Sequence, residues 1–152
     1  MKDVMHLIDG REVAGDGQQI DDIDPSTGDV IACMHEATGP QVEQAVAAAA
    51  RVFQVGDWSR APVAERQAVL RRIGSALRAS ADDIVAVQLA ETGITEPAVR
   101  AQLMAGAAWF DYFADYLSTV AGQVQGQLPG TTTLVEQEPV GVCALFSPWN
   151  VP

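Results

Sequence analysis

Apolar positions along the first forty residues come in short runs between turn residues, and later they recur at three- and four-residue steps. The chain therefore reads as strands followed by helices. His6-Leu7-Ile8 runs into Asp9-Gly10, a hairpin-type pair, and Glu12-Val13-Ala14 follows. Asp24-Pro25-Ser26-Thr27-Gly28 is a second turn cluster, and Val30 to Met34 has strand composition, which predicts a small β-meander. Gly39-Pro40 then opens a helix with Val42, Ala45, Val46, Ala49, Val52 and Phe53 on one face. A second helix begins near Pro62 and carries Val69, Leu70, Ile73 and Leu77. Ser80 is placed to cap a third, with Asp82 and Asp83 near its positive end and a stop at Thr92-Gly93. A fourth runs from about Thr95 to Thr119 with Val99, Leu103, Gly106, Phe110, Phe113 and Leu117 as its stripe. Trp109, Tyr112 and Tyr116 border that stripe as packing residues.

Beyond Gly122 the pattern changes again. Leu128-Pro129-Gly130 is a turn, and residues 131–138 alternate as an exposed strand does. Val140 to Phe146 is a continuous apolar run of strand length, the pattern of a strand covered on both faces in a parallel sheet. Such a strand needs neighbours on each side, and nothing else in the 152 residues supplies one, which predicts a truncated sequence.

Composition narrows the classes. Hydrophobic residues make up 48% and charged residues 19%, a globular balance, and 9 Lys and Arg against 20 Asp and Glu give a net charge of −11. That field repels a phosphate backbone or an anionic membrane, so neither nucleic acid nor membrane is an expected partner. The chain shows no signal peptide and no stretch of about 18 apolar residues. Cys33 and Cys143 read as two reduced thiols of a cytoplasmic protein, with Cys143 a small buried hydrophobe of raised pKa and low reactivity.

The chemistry is sparse. Neither a glycine-rich dinucleotide fingerprint nor a Walker loop is present, and His6 and His35 have no partners at ligand spacing, so no metal is expected. What remains is the tail, where Asn150 sits just past the carboxyl end of the apolar strand, in a loop stiffened by Pro148 and Pro152. An amide donor held there can stabilise a developing oxyanion. An Asn150 side chain turned into solvent, with no parallel sheet beneath it, would count against any enzymatic reading.

The string Glu138-Pro139-Val140-Gly141-Val142, followed by Ser147-Pro148-Trp149-Asn150-Val151-Pro152, resembles a motif of the NAD(P)-dependent aldehyde dehydrogenases. Leu7 to Gly10, Asp24 to Ala32 and Leu89 to Gly93 resemble further family segments in the same order, although Ile94-Thr95 stands where the family has Lys-Pro. The resemblance implies an α/β fold: the helix-rich N-terminal part of a Rossmann-like cofactor-binding domain, with the small meander and part of an oligomerisation hairpin. It divides the chain into 1–122, the opening of the cofactor-binding domain, 123–139, the oligomerisation strand segment, and 140–152, the first strand and loop of the Rossmann-like sheet. It implies that Asn150 forms part of the oxyanion hole, that Phe146, Ser147, Pro148 and Trp149 border the nicotinamide-ribose side of NAD or NADP, and that Val151 approaches the substrate. The helix from Gln102 to Trp109 would line the tunnel for a small aldehyde, and Ile23 and Glu91 match a monovalent-cation position of some members. The partner implied is a second copy, in a dimer or tetramer. The family's catalytic Cys, general-base Glu and cofactor-holding Lys and glycine-rich turn have no counterpart here, so the chain alone is expected to be inactive. The competing reading is a non-catalytic, acidic, helix-rich interaction module pairing through its exposed strand.

Overall fold

The Asp9-Gly10 pair adopts positive φ at both residues, 53° and 73°, the geometry a two-residue hairpin turn demands. In the computed structural model, which describes residues 2–148 and 150, this turn joins β2 (His6–Ile8) to β3 (Arg11–Val13) as an antiparallel pair. A second sheet contains β1 (Lys2–Val4), β4 (Gln19–Ile23) and β5 (Val30–His35) in the order β1-β5-β4. The turn between β4 and β5 is closed by Asp24, whose Oδ1 accepts from the Ser26 N–H at 2.7 Å and the Ser26 hydroxyl at 2.6 Å. Those bonds hold the Asp24 carboxyl below the usual range. Strands form over the expected runs near 6–8, 11–13 and 30–35, but β1 and β4 fall outside those runs and no continuous meander forms. β1 pairs with β5 in parallel, across the chain, and β2–β3 stands as a separate sheet.

Four helices follow: α1 (Gly39–Val55), α2 (Val63–Ala79), α3 (Ala81–Thr92) and α4 (Glu96–Tyr116), with 3-10 turns at Trp58–Arg60 and Leu117–Thr119. Pro40 stands in the first turn of α1. Gln41 is almost fully buried and acts as a polar hub. Its Oε1 accepts from the backbone N–H of Asp16 and of Thr38, each at 3.0 Å, and its Nε2 donates to the Ala14 carbonyl at 2.8 Å. This one side chain ties the β3–β4 connection to the start of α1. Ser80 takes the N-cap position of α3 without a side-chain capping bond: it also ends α2, donating its N–H to the Ala76 carbonyl, and its backbone (φ −96°, ψ 16°) lacks the extended conformation of a capping serine. Gly93 ends α3 in the left-handed conformation, φ 66°, as a C′ glycine does.

α2 packs chiefly on α4. The contact is close because small residues meet: Gly74 is buried in α2, and Ala107 and Ala114 are fully buried in α4 beside Val99. Gln67 adds a hydrogen bond to the Ala114 carbonyl at 2.7 Å. Of the expected stripe on α4 only Val99 is fully buried; the other buried positions are Ala107 and Ala114, while Leu103, Gly106 and Phe110 are half-buried. Phe113 belongs to the outer face instead, 50% exposed, with Trp109, Tyr112 and Tyr116. These rings contact one another, Trp109 and Tyr112 edge to face at 5.5 Å, Tyr112 and Phe113 edge to face at 5.2 Å, and Tyr112 stacked on Tyr116 at 6.1 Å. Alanine wins the inner face because only a small side chain allows the helices to approach this closely.

Beyond α4, β6 (Gln123–Gln125) and β7 (Thr133–Val135) form an antiparallel hairpin. The predicted buried strand at 140–146 is absent. That segment has no regular structure, and Val140, Leu145 and Phe146 are 92%, 92% and 95% exposed. Cys143 is exposed as well, not buried. The composition of the run is that of a covered strand, but a strand forms only by pairing, and the described residues offer it no partner.

A Cβ built on Gly74 would lie 2.9 Å from the Ala107 carbonyl oxygen, a backbone atom that cannot swing aside. Gly74→Ala gains about 1 kcal/mol of helix propensity. The forced separation of α2 from α4 costs about 1–3 kcal/mol. The expected net result is a lower urea midpoint for the folded protein; a rise would show that this contact does not set the helix spacing.

Candidate functional site

The residues predicted from sequence to carry chemistry lie in one consecutive segment. Phe146, Ser147 and Pro148 are exposed and irregular, and Asn150 is exposed in a turn; Trp149 and Val151 lie outside the described residues. No parallel sheet lies beneath Asn150, since the parallel pairing among the described residues joins β1 to β5. This arrangement is the one that counts against catalysis by the chain as it stands. An oxyanion donor works by preorganisation in a site shielded from water, and Asn150 is exposed.

Three cavities stand out among the described residues. The largest of these, about 810 Å³, lies between the β2–β3 turn, α1, Trp58 and the segment Pro139 to Cys143. A second of about 630 Å³ is walled by α2, α3 and α4, and a third of about 470 Å³ separates Arg66 from Glu136 to Pro139. None of the three is lined by Phe146, Ser147, Pro148 or Asn150. The second is lined by Gln102, Leu103, Gly106 and Trp109, so the helix stretch singled out for a substrate tunnel does face a cavity. Gln88 bridges it, with Nε2 at 3.4 Å from Gln102 Oε1.

Cys33 is buried and donates from Sγ to Asp3 Oδ1 at 3.1 Å; that bond, then burial, pushes its thiol pKa up and keeps it protonated. His6 Nε2 lies 2.8 Å from the His35 carbonyl, a link between the two sheets. Glu91, at the end of α3, has its carboxyl pushed up by desolvation, and then by the charge and hydrogen bond of Asp22, the neighbour of Ile23. The Ile23 and Glu91 region is thus brought together. No group of three or more His, Cys, Asp or Glu is gathered for a metal among the described residues. No helix among them is long and apolar enough to cross a membrane. Sequence reasoning did not find Gln41 or the Asp22–Glu91 contact. Both depend on residues distant in the chain meeting in space, and no local pattern marks them.

Comparison with known proteins places this arrangement. The model of the aldehyde dehydrogenase family matches residues 13–152. The chain is 33% identical to 5-carboxymethyl-2-hydroxymuconate semialdehyde dehydrogenase of Escherichia coli, over 100% of this chain and 32% of that protein. It is 34% identical to 2-hydroxymuconic semialdehyde dehydrogenase of Pseudomonas sp. (strain CF600), with the same two coverages, 100% and 32%. The chain thus spans about a third of the length of these curated relatives. Among solved structures, a double mutant of betaine aldehyde dehydrogenase from Staphylococcus aureus in complex with NAD+ superposes with a TM-score of 0.89 at 28% identity. That match covers 97% of this chain and 30% of that one. The helix-rich arrangement with its small sheets is therefore the N-terminal part of that fold, as the sequence pattern implied.

Because the folded state favours neutral Glu91, its ionisation costs stability. The cost is absent in acid, where the group is protonated folded or unfolded, and complete once the pH exceeds the raised folded value. Glu91→Gln is expected to raise the urea midpoint near neutral pH and to leave it unchanged below the ordinary glutamate range. The gain is small, because solvent reaches Glu91. Equal midpoints for the variant and the unchanged protein at every pH would rule the contact out as a stability determinant.

Proposed function

Since the chain belongs to the aldehyde dehydrogenase family, we propose that it forms the opening third of an enzyme that oxidises an aldehyde to a carboxylic acid with NAD or NADP. The observation that carries this reading is the family match over residues 13–152, which includes Glu138 to Val142 and the Ser147–Pro152 motif. The exposure of Asn150 weighs less, because its shielding would come from a sheet to which 140–146 contributes one strand. Two solved neighbours support the cofactor: the betaine aldehyde dehydrogenase is described with NAD+, and a second, from Sinorhizobium meliloti, as NAD-dependent.

When bound, NAD or NADP supplies the hydride acceptor. The described residues do not enclose it: Phe146, Ser147 and Pro148 stand in solvent and line none of the three cavities. In the whole protein, Asn150 donates from its side-chain amide to the oxyanion formed when a cysteine thiolate attacks the aldehyde, with Phe146, Ser147, Pro148 and Trp149 at the cofactor and Val151 at the substrate. Residues 1–122, 123–139 and 140–152 are the cofactor-domain opening, the oligomerisation segment and the first strand and loop of the sheet. The β6–β7 hairpin, with Leu134 66% exposed, offers an edge to a second subunit. Two free thiols suit the reducing conditions of the cytoplasm.

The same exposed hairpin favours a second reading, a non-catalytic module that pairs through Thr133–Val135. The two readings separate on turnover. In the whole enzyme, Asn150→Ala is expected to lower kcat by about 10²–10³-fold with little change in KM. A wild-type kcat in that variant removes Asn150 from the chemistry. The 152-residue chain alone is expected to reduce no NAD with any aldehyde, and measurable turnover would refute the division of labour proposed here.

A further inference from the structure

Gly74 and Gly106 both stand in helix interiors, where glycine is a poor helix former. Gly74 has a packing reason, the Ala107 carbonyl oxygen that lies 2.9 Å from a Cβ built on it. Gly106 has none. A Cβ there would meet no atom within 4 Å beyond its own stretch of helix, and its backbone does not take a positive φ. What a side chain at 106 would enter is the cavity of about 630 Å³ between α2, α3 and α4, a volume in the range that holds small molecules.

The wall of that cavity is apolar over Leu77 of α2, Ile84 of α3 and Leu103 of α4, with the rings of Trp109 and Phe110 beside them. Its polar groups are the amides of Gln88 and Gln102 and the carboxyl of Glu91. The two amides meet at 3.4 Å, a long contact that uses one donor and one acceptor of the several they carry. No Lys, Arg or His lines the cavity among the described residues. Arg78 and Arg100, on the same helices, are engaged by Asp111 and by Asp82 and Glu96. A carboxylate entering here gives up water with no cation to meet it, against Glu91 and a net charge of −11. A cation has to draw the proton from Glu91, whose carboxyl is pushed up by desolvation and then by Asp22.

We propose that this cavity holds the body of an uncharged, ring-bearing aldehyde, with a polar group of the ligand bonded to the Gln88 and Gln102 amides, and that Gly106 sets the size admitted. The proposal rests on the aldehyde-oxidising reading and names its substrate class. The ring suits the aromatic wall of Trp109 and Phe110, and the amides can both donate to and accept from a neutral group.

The test titrates the 152-residue chain with para-(hydroxymethyl)acetophenone, a methyl ketone that is not oxidised. Its counterparts are para-acetylbenzoate and para-acetylphenyltrimethylammonium. The expected result is a saturable shift of the Gln88 and Gln102 side-chain amide signals in NMR spectra, with both charged counterparts at least tenfold weaker. Gly106→Leu should weaken the neutral probe at least tenfold, and Gly106→Ala by an intermediate factor. Both should keep the helical circular dichroism, since each replaces glycine by a better helix former. In the whole enzyme, the ratio of kcat/KM for para-(hydroxymethyl)benzaldehyde to that for acetaldehyde should fall at least tenfold in Gly106→Leu. Absence of saturable binding overturns the proposal, and so does equal or tighter binding of either charged counterpart, or binding that neither variant moves. Binding without turnover of any aldehyde keeps the ligand site and counts against the enzymatic reading. Turnover with a ratio that Gly106→Leu leaves unmoved keeps the enzyme and removes this cavity from it.

Discussion

The spacing of α2 and α4 rests on one close approach, that of Gly74 to the Ala107 carbonyl. At the same interface Ala114 and Val99 are buried without gaps for larger side chains. Two ion pairs cross it, Arg71 with Asp115 and Arg78 with Asp111, and a third, Arg100 with Asp82, joins α4 to α3. All are substantially exposed, and such pairs contribute about 0–1 kcal/mol each. Small-residue packing therefore sets the distance between the helices, and the charges only favour the register. α3 then has to lie against α4 from the other side, which creates the cavity that Gln102 and Trp109 line.

The strand layer is attached differently. Few apolar side chains join it to the helices. Gln41 holds the β3–β4 connection on α1, and His6 links the hairpin to the other sheet through the His35 carbonyl. Arg51 reaches the Asp9 turn at 2.6 Å, but from an exposed position. Polar attachments of this kind specify where an element sits, yet they stabilise little compared with burial. Among the described residues the buried hydrophobic side chains are Cys33, Ala48, Ala81, Val85, Val99, Ala107 and Ala114, mostly small. The larger apolar side chains are mostly half-buried or exposed, which leaves much apolar area open.

That division bears directly on chemistry. The helices give a rigid frame, and the segment meant to present Asn150 leaves that frame after Pro139 and runs over Phe53 into solvent. An amide donor is worth several kcal/mol of barrier only when water is excluded and its direction is fixed. The frame and the donor are both present in the chain, but the sheet that would join them is not among its elements. Function on this reading is a property of the covered strand, not of the motif alone.

Local signals settled much of the rest. Pro40, Pro62, Gly93 and the Asp9-Gly10 pair each act through their own backbone preferences, and the structure places the helix starts, the C′ glycine and the hairpin turn where those preferences put them. Helical spacing likewise located all four helices, and the order of tail motifs carried the family. Tertiary structure decided what depends on partners: that β1 pairs with β5 rather than forming a meander, that α4 turns Ala107 and Ala114 inward and Phe113 outward, and that Val140–Phe146 forms no strand. The physical reason is the same in each case. A helix or a tight turn satisfies its hydrogen bonds within a few residues, so its sequence suffices. A strand or a buried face is completed only by whatever lies against it.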